Sequence, residues 1–253
     1  LIVVTADNGM PFPRVKGQAY ELSNHLPLAI MWPAGIRNPG RTVDDYVSFI
    51  DFAPTFLEVA GIEAAESGMQ PVTGRSLTDL FYSEKDGLVN PARDHVLVGK
   101  ERHDVGRPGD VGYPIRGIFK DNMLYLVNFE PGRWPAGNPE TGYLNVDGSP
   151  TKTQVLQSRR DPETRQFWEW SMGKRPPAEF YRLDLDPYCL ENLAGNPEYQ
   201  QMQAALDEQL MAALREQGDP RLYGEGGRFD EYLYSNEADR LFYERYMRGD
   251  SVR

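Results

Sequence analysis

The sequence has one cysteine, Cys189, and only three histidines in 253 residues. A single thiol cannot close an intrachain disulfide, and it excludes a zinc site built from several cysteines. Long apolar runs are also missing, and no stretch approaches the ~20 residues that a membrane-spanning helix needs. Positive charge is scarce, with 27 Lys and Arg against 38 Asp and Glu, a formal net charge of −11. A chain this acidic lacks the basic face that nucleic acid or an anionic membrane surface requires. A start methionine and a recognisable signal peptide are absent too. The chain opens on Leu1-Ile2-Val3-Val4-Thr5, which reads as a buried strand of a parallel sheet and would need neighbours on both sides. The expectation is therefore a fragment of a longer protein.

What is abundant is glycine and proline, 24 and 20 residues respectively, so loops should be plentiful. Leu28–Trp32 reads as a second buried strand and Val96–Gly99 as a third. Between them, Val47, Ile50, Ala53, Phe56, Leu57 and Ala60 form a helical stripe that Gly61 ends. Gly74 to Tyr82 contains a short helical segment. The pattern changes near residue 110. Residues 115–119 and 123–128 read as antiparallel strands around a Lys120-Asp121-Asn122 turn. A loop-heavy stretch follows over 130–178, then a strand from Glu179 to Leu185. A helix from Asn196 to about Gln217 carries Met202, Leu206, Leu210 and Leu214 on one face. The expected class is α/β with a smaller α+β subdomain of antiparallel sheet plus long helix. The expected domains are residues 1–110 and residues 111–253, the latter including an aromatic, charged tail.

The chemistry is concentrated in Thr5-Ala6-Asp7-Asn8-Gly9, at the C-terminal end of the first strand, where α/β sheets place ligands. Asp7 offers a carboxylate and Asn8 a carbonyl oxygen. Both are hard donors that suit Ca²⁺ or Mg²⁺ rather than zinc or copper. Taken alone, Asp-Asn-Gly is more often a plain turn. Lys16 follows eight residues after Asn8, across a proline-stiffened segment. A lysine near a divalent cation suits an oxyanion held by both.

The run from Thr5 to Lys16 resembles the sulfatase family, most closely its heparan N-sulfatase (N-sulfoglucosamine sulfohydrolase) branch. The resemblance continues through Tyr20, Leu26–Pro33, Val47–Leu57, Gly74-Arg75-Ser76-Leu77, Glu101–Val105, Gly112–Arg116, Tyr181–Asp184 and Glu191–Ala194. It implies the C-terminal portion of an alkaline-phosphatase-like sandwich and an enzyme that hydrolyses sulfate esters or sulfamates of a sulfated saccharide. The nucleophile would be a formylglycine made within a Cys/Ser-x-Pro/Ala-x-Arg motif. Cys189, followed by Leu190-Glu191-Asn192-Leu193, does not match that motif, so the nucleophile is expected upstream of Leu1. The resemblance makes Asp7 and Asn8 half of a calcium site, Mg²⁺ being the weaker choice. It also gives Asp7 a share in orienting the attacking hydroxyl and makes Lys16 a sulfate contact. A periplasmic, extracellular or lysosomal setting goes with the family.

His103 follows a strand end and is a candidate substrate contact, with Glu101 and Arg102 beside it. Lys16, Lys100, Arg102 and Arg107 are the local cations that must overcome the acidic net charge. His25 reads as structural, Arg116 as either a cleft residue or an acid's partner, and Cys189 as a small buried hydrophobe. Trp134, Trp168 and Trp170 read as packing for a long loop before they read as sugar platforms. Two other functions fit the same residues. One is a phosphoester or phosphonate hydrolase of the same superfamily, and the other is a non-catalytic glycan-binding relative.

Overall fold

The computed structural model describes residues 1–250. Its strands are β1 (Ile2–Thr5), β2 (Leu28–Met31), β3 (His95–Lys100), β4 (Ile115–Lys120), β5 (Met123–Asn128) and β6 (Ala178–Arg182). Its helices are α1 (Glu21–Asn24), α2 (Phe52–Ala60), α3 (Thr78–Phe81), α4 (Pro150–Ser158), α5 (Arg165–Met172), α6 (Gln200–Glu216), α7 (Arg228–Glu231) and α8 (Phe242–Arg248). The chain forms two compact units, Leu1–Ala6 with Pro27–Leu97, and Asp7–Leu26 with Val98 onward.

In the first unit β1 and β2 pair antiparallel, Ile2 opposite Met31 and Thr5 opposite Leu28. This corrects the expectation of buried parallel strands, since Ile2, Val4 and Met31 are all more than half exposed. An apolar run marks a strand but carries no information about which strand pairs with it or which layer covers it. The core lies under α3, where Leu77, Leu80 and Phe81 are buried against Trp32, Val47, Phe52 and Val89. Pro54 occupies the first turn of α2, where its missing N–H costs nothing. Gly61 ends that helix in the left-handed conformation at φ 69°.

A buried arginine ties this unit together. Arg93 is 1% exposed and reaches Asp79 at 3.0 and 3.1 Å, Asp51 at 3.4 Å, and the Ser76 carbonyl. Asp51 also accepts from the backbone N–H groups of Ser48 and Arg75 at 3.1 and 2.8 Å. Arg93→Ala would strand a buried carboxylate, so a loss of about 3–5 kcal/mol in chemical denaturation is expected. A loss below about 1 kcal/mol would show that the network is dispensable.

The second unit holds an antiparallel sheet of order β3-β4-β5-β6, with Val98–Lys100 of β3 at its edge. The β4–β5 turn has Asp121 and Asn122 at φ 49° and 56°, the left-handed pair that a two-residue hairpin needs. Ile118, Leu124, Leu126 and Phe180 are at most 1% exposed. Helix α6 covers this sheet with Leu206, Leu210 and Leu214 buried, while Met202 from the expected stripe is 44% exposed. The loop-heavy stretch contains two helices. The Ser149 hydroxyl accepts from Lys152 N at 3.1 Å and Pro150 opens α4, a cap signal present in the sequence. Trp134 and Trp168 pack around Tyr143, Val146 and Met172 in a separate core cluster, as a loop-packing role requires.

Candidate functional site

Every candidate residue, Asp7, Asn8, Lys16, Glu101, Arg102 and His103, lies in the second unit. Two segments carry them. The first is the tight loop from Asp7 to Tyr20, and the second is the turn that leaves β3 after Lys100.

The Asp7–Tyr20 loop is anchored at its far end by Arg14 and Tyr20. The Arg14 guanidinium lies 3.9 Å from the centre of the Tyr20 ring and donates to the Trp170 carbonyl at 2.6 Å and to the Cys189 carbonyl. The Tyr20 hydroxyl donates to Glu179 at 2.9 Å, and Glu179 also accepts from Tyr181 at 2.6 Å and Asn128 at 2.8 Å. Burial with the Glu179 carboxylate beside it pushes the Tyr20 phenol up to about 12. At the near end, a side chain on Gly9 would put its Cβ 2.5 Å from the Leu22 carbonyl. Only glycine permits so close a turn after Asn8.

Asp7 is exposed and Asn8 half-buried. The Asn8 amide nitrogen donates to the Gly9 carbonyl at 2.8 Å, and no hydrogen bond among the described residues engages its oxygen. Among the described residues no hydrogen bond or ion pair occupies the Asp7 carboxylate. Hard oxygen donors on two consecutive residues, without internal partners, are of the chemistry that suits a divalent cation. Among the described residues no group of three His, Cys, Asp or Glu side chains converges as a metal cluster, so the pair accounts for only part of such an ion's coordination.

Lys16 forms a 2.9 Å ion pair with Asp147, both side chains about one-third exposed. That pair, with further attraction from Asp7 and Asp104, holds the Lys16 ammonium above the usual lysine range. Asp147 reaches this position because Lys152 ties down the preceding turn through the Tyr143 and Val146 carbonyls, at 3.0 and 2.8 Å. A partly exposed ion pair is weak and readily exchanged. Lys16 can therefore leave Asp147 for an incoming anion.

The next residue brings the two segments together. Gly17 sits at φ 69°, and a Cβ there would stand 2.7 Å from Nδ1 of His103. The His103 ring therefore lies directly on the backbone beside Lys16. Its Nδ1 is buried without a hydrogen-bond partner. Burial, then the charge of Lys100, lowers the imidazole below its ordinary value. His103 is thus neutral near pH 7 and keeps one nitrogen as donor and one as acceptor.

Lys100 is the member that sequence reasoning undervalued, placing it only among local cations. Its ammonium donates to the Gly17 carbonyl at 2.5 Å and lies 5.8 Å from the Tyr113 ring. Burial, then repulsion from Arg107 and Arg175, drags it down to about 7. The unfolded chain holds this proton up to the ordinary 10.5, so between about 7 and 10.5 it binds more protons than the folded protein does. Folding stability contributed by this site is thus depressed below pH 7 and recovers as pH rises through that window. Lys100→Met should flatten this rise in denaturation midpoints measured from pH 7 to 10. Equal slopes for both proteins would contradict the assignment.

The other candidates are committed elsewhere. Glu101 pairs with Arg116 at 2.5 Å and Arg221 at 2.7 Å, and Arg116 also holds Asp219. Arg102 donates to the Asp110 and Tyr232 carbonyls at 2.9 and 2.8 Å. Arg107 is 1% exposed and donates to the Trp134 and Pro135 carbonyls. His25 is exposed and pairs with Glu21 one helical turn away. Cys189 is buried, and burial pushes its thiol up to about 12, which makes it inert as a nucleophile.

Comparison with known proteins finds similarity to sulfatases. Residues 15–96 match the family model described as N-sulphoglucosamine sulphohydrolase, C-terminal. An ulvan-active sulfatase of Formosa agariphila is 28% identical over 225 residues, which is 87% of this chain and 33% of that protein. The human N-sulphoglucosamine sulphohydrolase is 27% identical over 243 residues, 92% of this chain and 45% of that one. The chain is similar to these sulfatases over most of its length. A solved structure, described as a complex with its substrate D-glucosamine-2-N,6-O-disulfate, superposes with a TM-score of 0.52 at 20% identity. It covers 80% of this chain and 31% of the other, and it shows a common fold. The chain spans about a third to under half of the length of the curated relatives named here.

Proposed function

We propose that the protein carrying this chain hydrolyses a sulfate ester or sulfamate on a sulfated sugar, with an N-sulfated glucosamine unit as the first choice. The observation that carries this reading is the meeting of Lys16 and His103 across Gly17, within the electrostatic reach of Asp7. In that geometry Lys16 exchanges Asp147 for a sulfuryl oxygen, and neutral His103 contributes a hydrogen bond without adding charge. Asp7 and Asn8 would hold a divalent cation, calcium before magnesium, as two of the six to eight oxygens that calcium takes. Such a cation stabilises negative charge developing on sulfuryl oxygens. The nucleophile, by family resemblance a formylglycine, lies outside these residues. On this reading the 253-residue chain by itself releases no sulfate.

The test is sulfate release, followed by ion chromatography, from N-sulfated and 6-O-sulfated glucosamine by the intact protein, with a matched phosphate ester alongside. Sulfate release that exceeds phosphate release supports the assignment. Faster turnover of the phosphate ester would move the protein to the phosphoester hydrolases. Binding without turnover of either would leave a glycan-binding role.

A further inference from the structure

One residue of the candidate site is held from two sides. The Lys100 ammonium, at the end of β3, donates to the Gly17 carbonyl at 2.5 Å. The His103 ring closes on the same glycine, 2.7 Å from where a Gly17 Cβ would stand. Lys16 is the residue just before it. The hold is anchored in the sheet. Arg116 on β4 donates to the Lys100 carbonyl at 3.1 Å and is itself paired with Glu101 and Asp219, each at 2.5 Å. Gly99 lets the two strands close up, since a Cβ there would stand 2.7 Å from the Ile115 carbonyl. A shift of the Lys100 side chain would therefore pass to Gly17, and from Gly17 to both Lys16 and His103.

The ammonium is unfavourable where it stands. Burial, then repulsion from Arg107 and Arg175, brings its proton down to about 7. The Tyr113 ring lies 5.8 Å away, and burial holds that phenol above its ordinary range. His103 is acted on by Lys100 and Lys16 from one sign and by Asp104 and Asp147 from the other. A methionine would fill the place of Lys100 without burying a charge. It could neither hold a carbonyl nor carry a field. The ammonium does both. A hydrogen bond from a charged donor is roughly twice as strong as a neutral one, and after burial the charge of Lys100 is the leading cause that keeps His103 unprotonated.

We propose that Lys100 is a positioning residue for the sulfuryl site: its ammonium fixes the Gly17 peptide and so keeps Lys16 and His103 in register for the same oxyanion. The proposal rests on the sulfatase reading above and adds to it a residue that does not itself meet substrate. Its test measures kcat and KM for sulfate release from sulfated glucosamine by the intact protein, between about pH 6 and about pH 9, for the parent, Lys100→Met and Lys100→Arg. At the acid end Lys100→Met should lose about tenfold in kcat, with KM changed less. As pH rises the parent gives up the same charge, so the ratio of parent to Lys100→Met should fall toward one. Lys100→Arg stays charged throughout. It should restore part of the rate at the acid end and keep that rate at the alkaline end. The thermal midpoint of Lys100→Met at the acid end should be no lower than the parent's, because a buried charge has gone. Equal rates at the acid end, a ratio that does not change with pH, or a loss of rate matched by a lower midpoint overturns the proposal and leaves the sulfatase reading standing. No sulfate release by the parent at any pH overturns that reading, and the positioning role with it.

Discussion

Under the proposed calcium-assisted sulfatase reaction, Asp7→Ala in the intact protein is expected to lower sulfate release by on the order of 10²–10³-fold or more. The carboxylate is exposed, and no hydrogen bond among the described residues would be broken by its removal. Its loss should therefore leave the thermal midpoint of the metal-free protein nearly unchanged. The stabilisation that added calcium gives should shrink in parallel with activity, because a ligand that binds only the folded state raises its apparent stability. Asp7→Asn separates charge from shape, since it keeps an oxygen donor but removes the negative charge that favours a divalent cation. It should bind calcium more weakly than the parent and retain more affinity than alanine. Calcium titration followed by calorimetry reads this directly. A normal calcium isotherm for Asp7→Ala would end the ligand assignment.

Lys16→Met should lower kcat by on the order of 10²–10³-fold, the usual cost of removing one donor from a developing oxyanion. It should disturb folding little, because the ion pair with Asp147 is weak and partly exposed. Lys16→Arg keeps the charge but changes a compact ammonium into a planar fork, so it should restore part of the rate. The control is Asp147→Asn, which removes the resting partner of the lysine and keeps the lysine. If Lys16 is needed only to hold Asp147 in place, the two variants will behave alike. If Lys16 meets substrate, only the lysine variant loses kcat.

The sequence was most readable where local chemistry decides the outcome. The hairpin of β4 and β5 follows from two β-rich runs around a pair of residues that tolerate left-handed backbone. The long helix follows from Leu206, Leu210 and Leu214 at a four-residue spacing. Helix α4 escaped because it buries none of its residues and so leaves no apolar period to read. The pairing of β1 with β2 escaped because partner choice is set by the rest of a sheet and not by either strand.

The candidate site divides in the same way. Asp7, Asn8 and Lys16 are close in sequence, and their spacing carries the motif. Lys100 and Asp147 are joined to that loop only in space, 83 and 131 positions away. Arg102 lies beside His103 in sequence, and in the structure its donors serve the Asp110 and Tyr232 carbonyls.

Under the proposed reaction, the contact between Lys16 and Asp147 also bears on how a cycle ends. Inorganic sulfate left beside the ammonium after turnover must compete with a tethered carboxylate already within reach of the same charge. That built-in rival favours clearance, so the enzyme should tolerate accumulating sulfate. Asp147→Asn should make it markedly more prone to product inhibition.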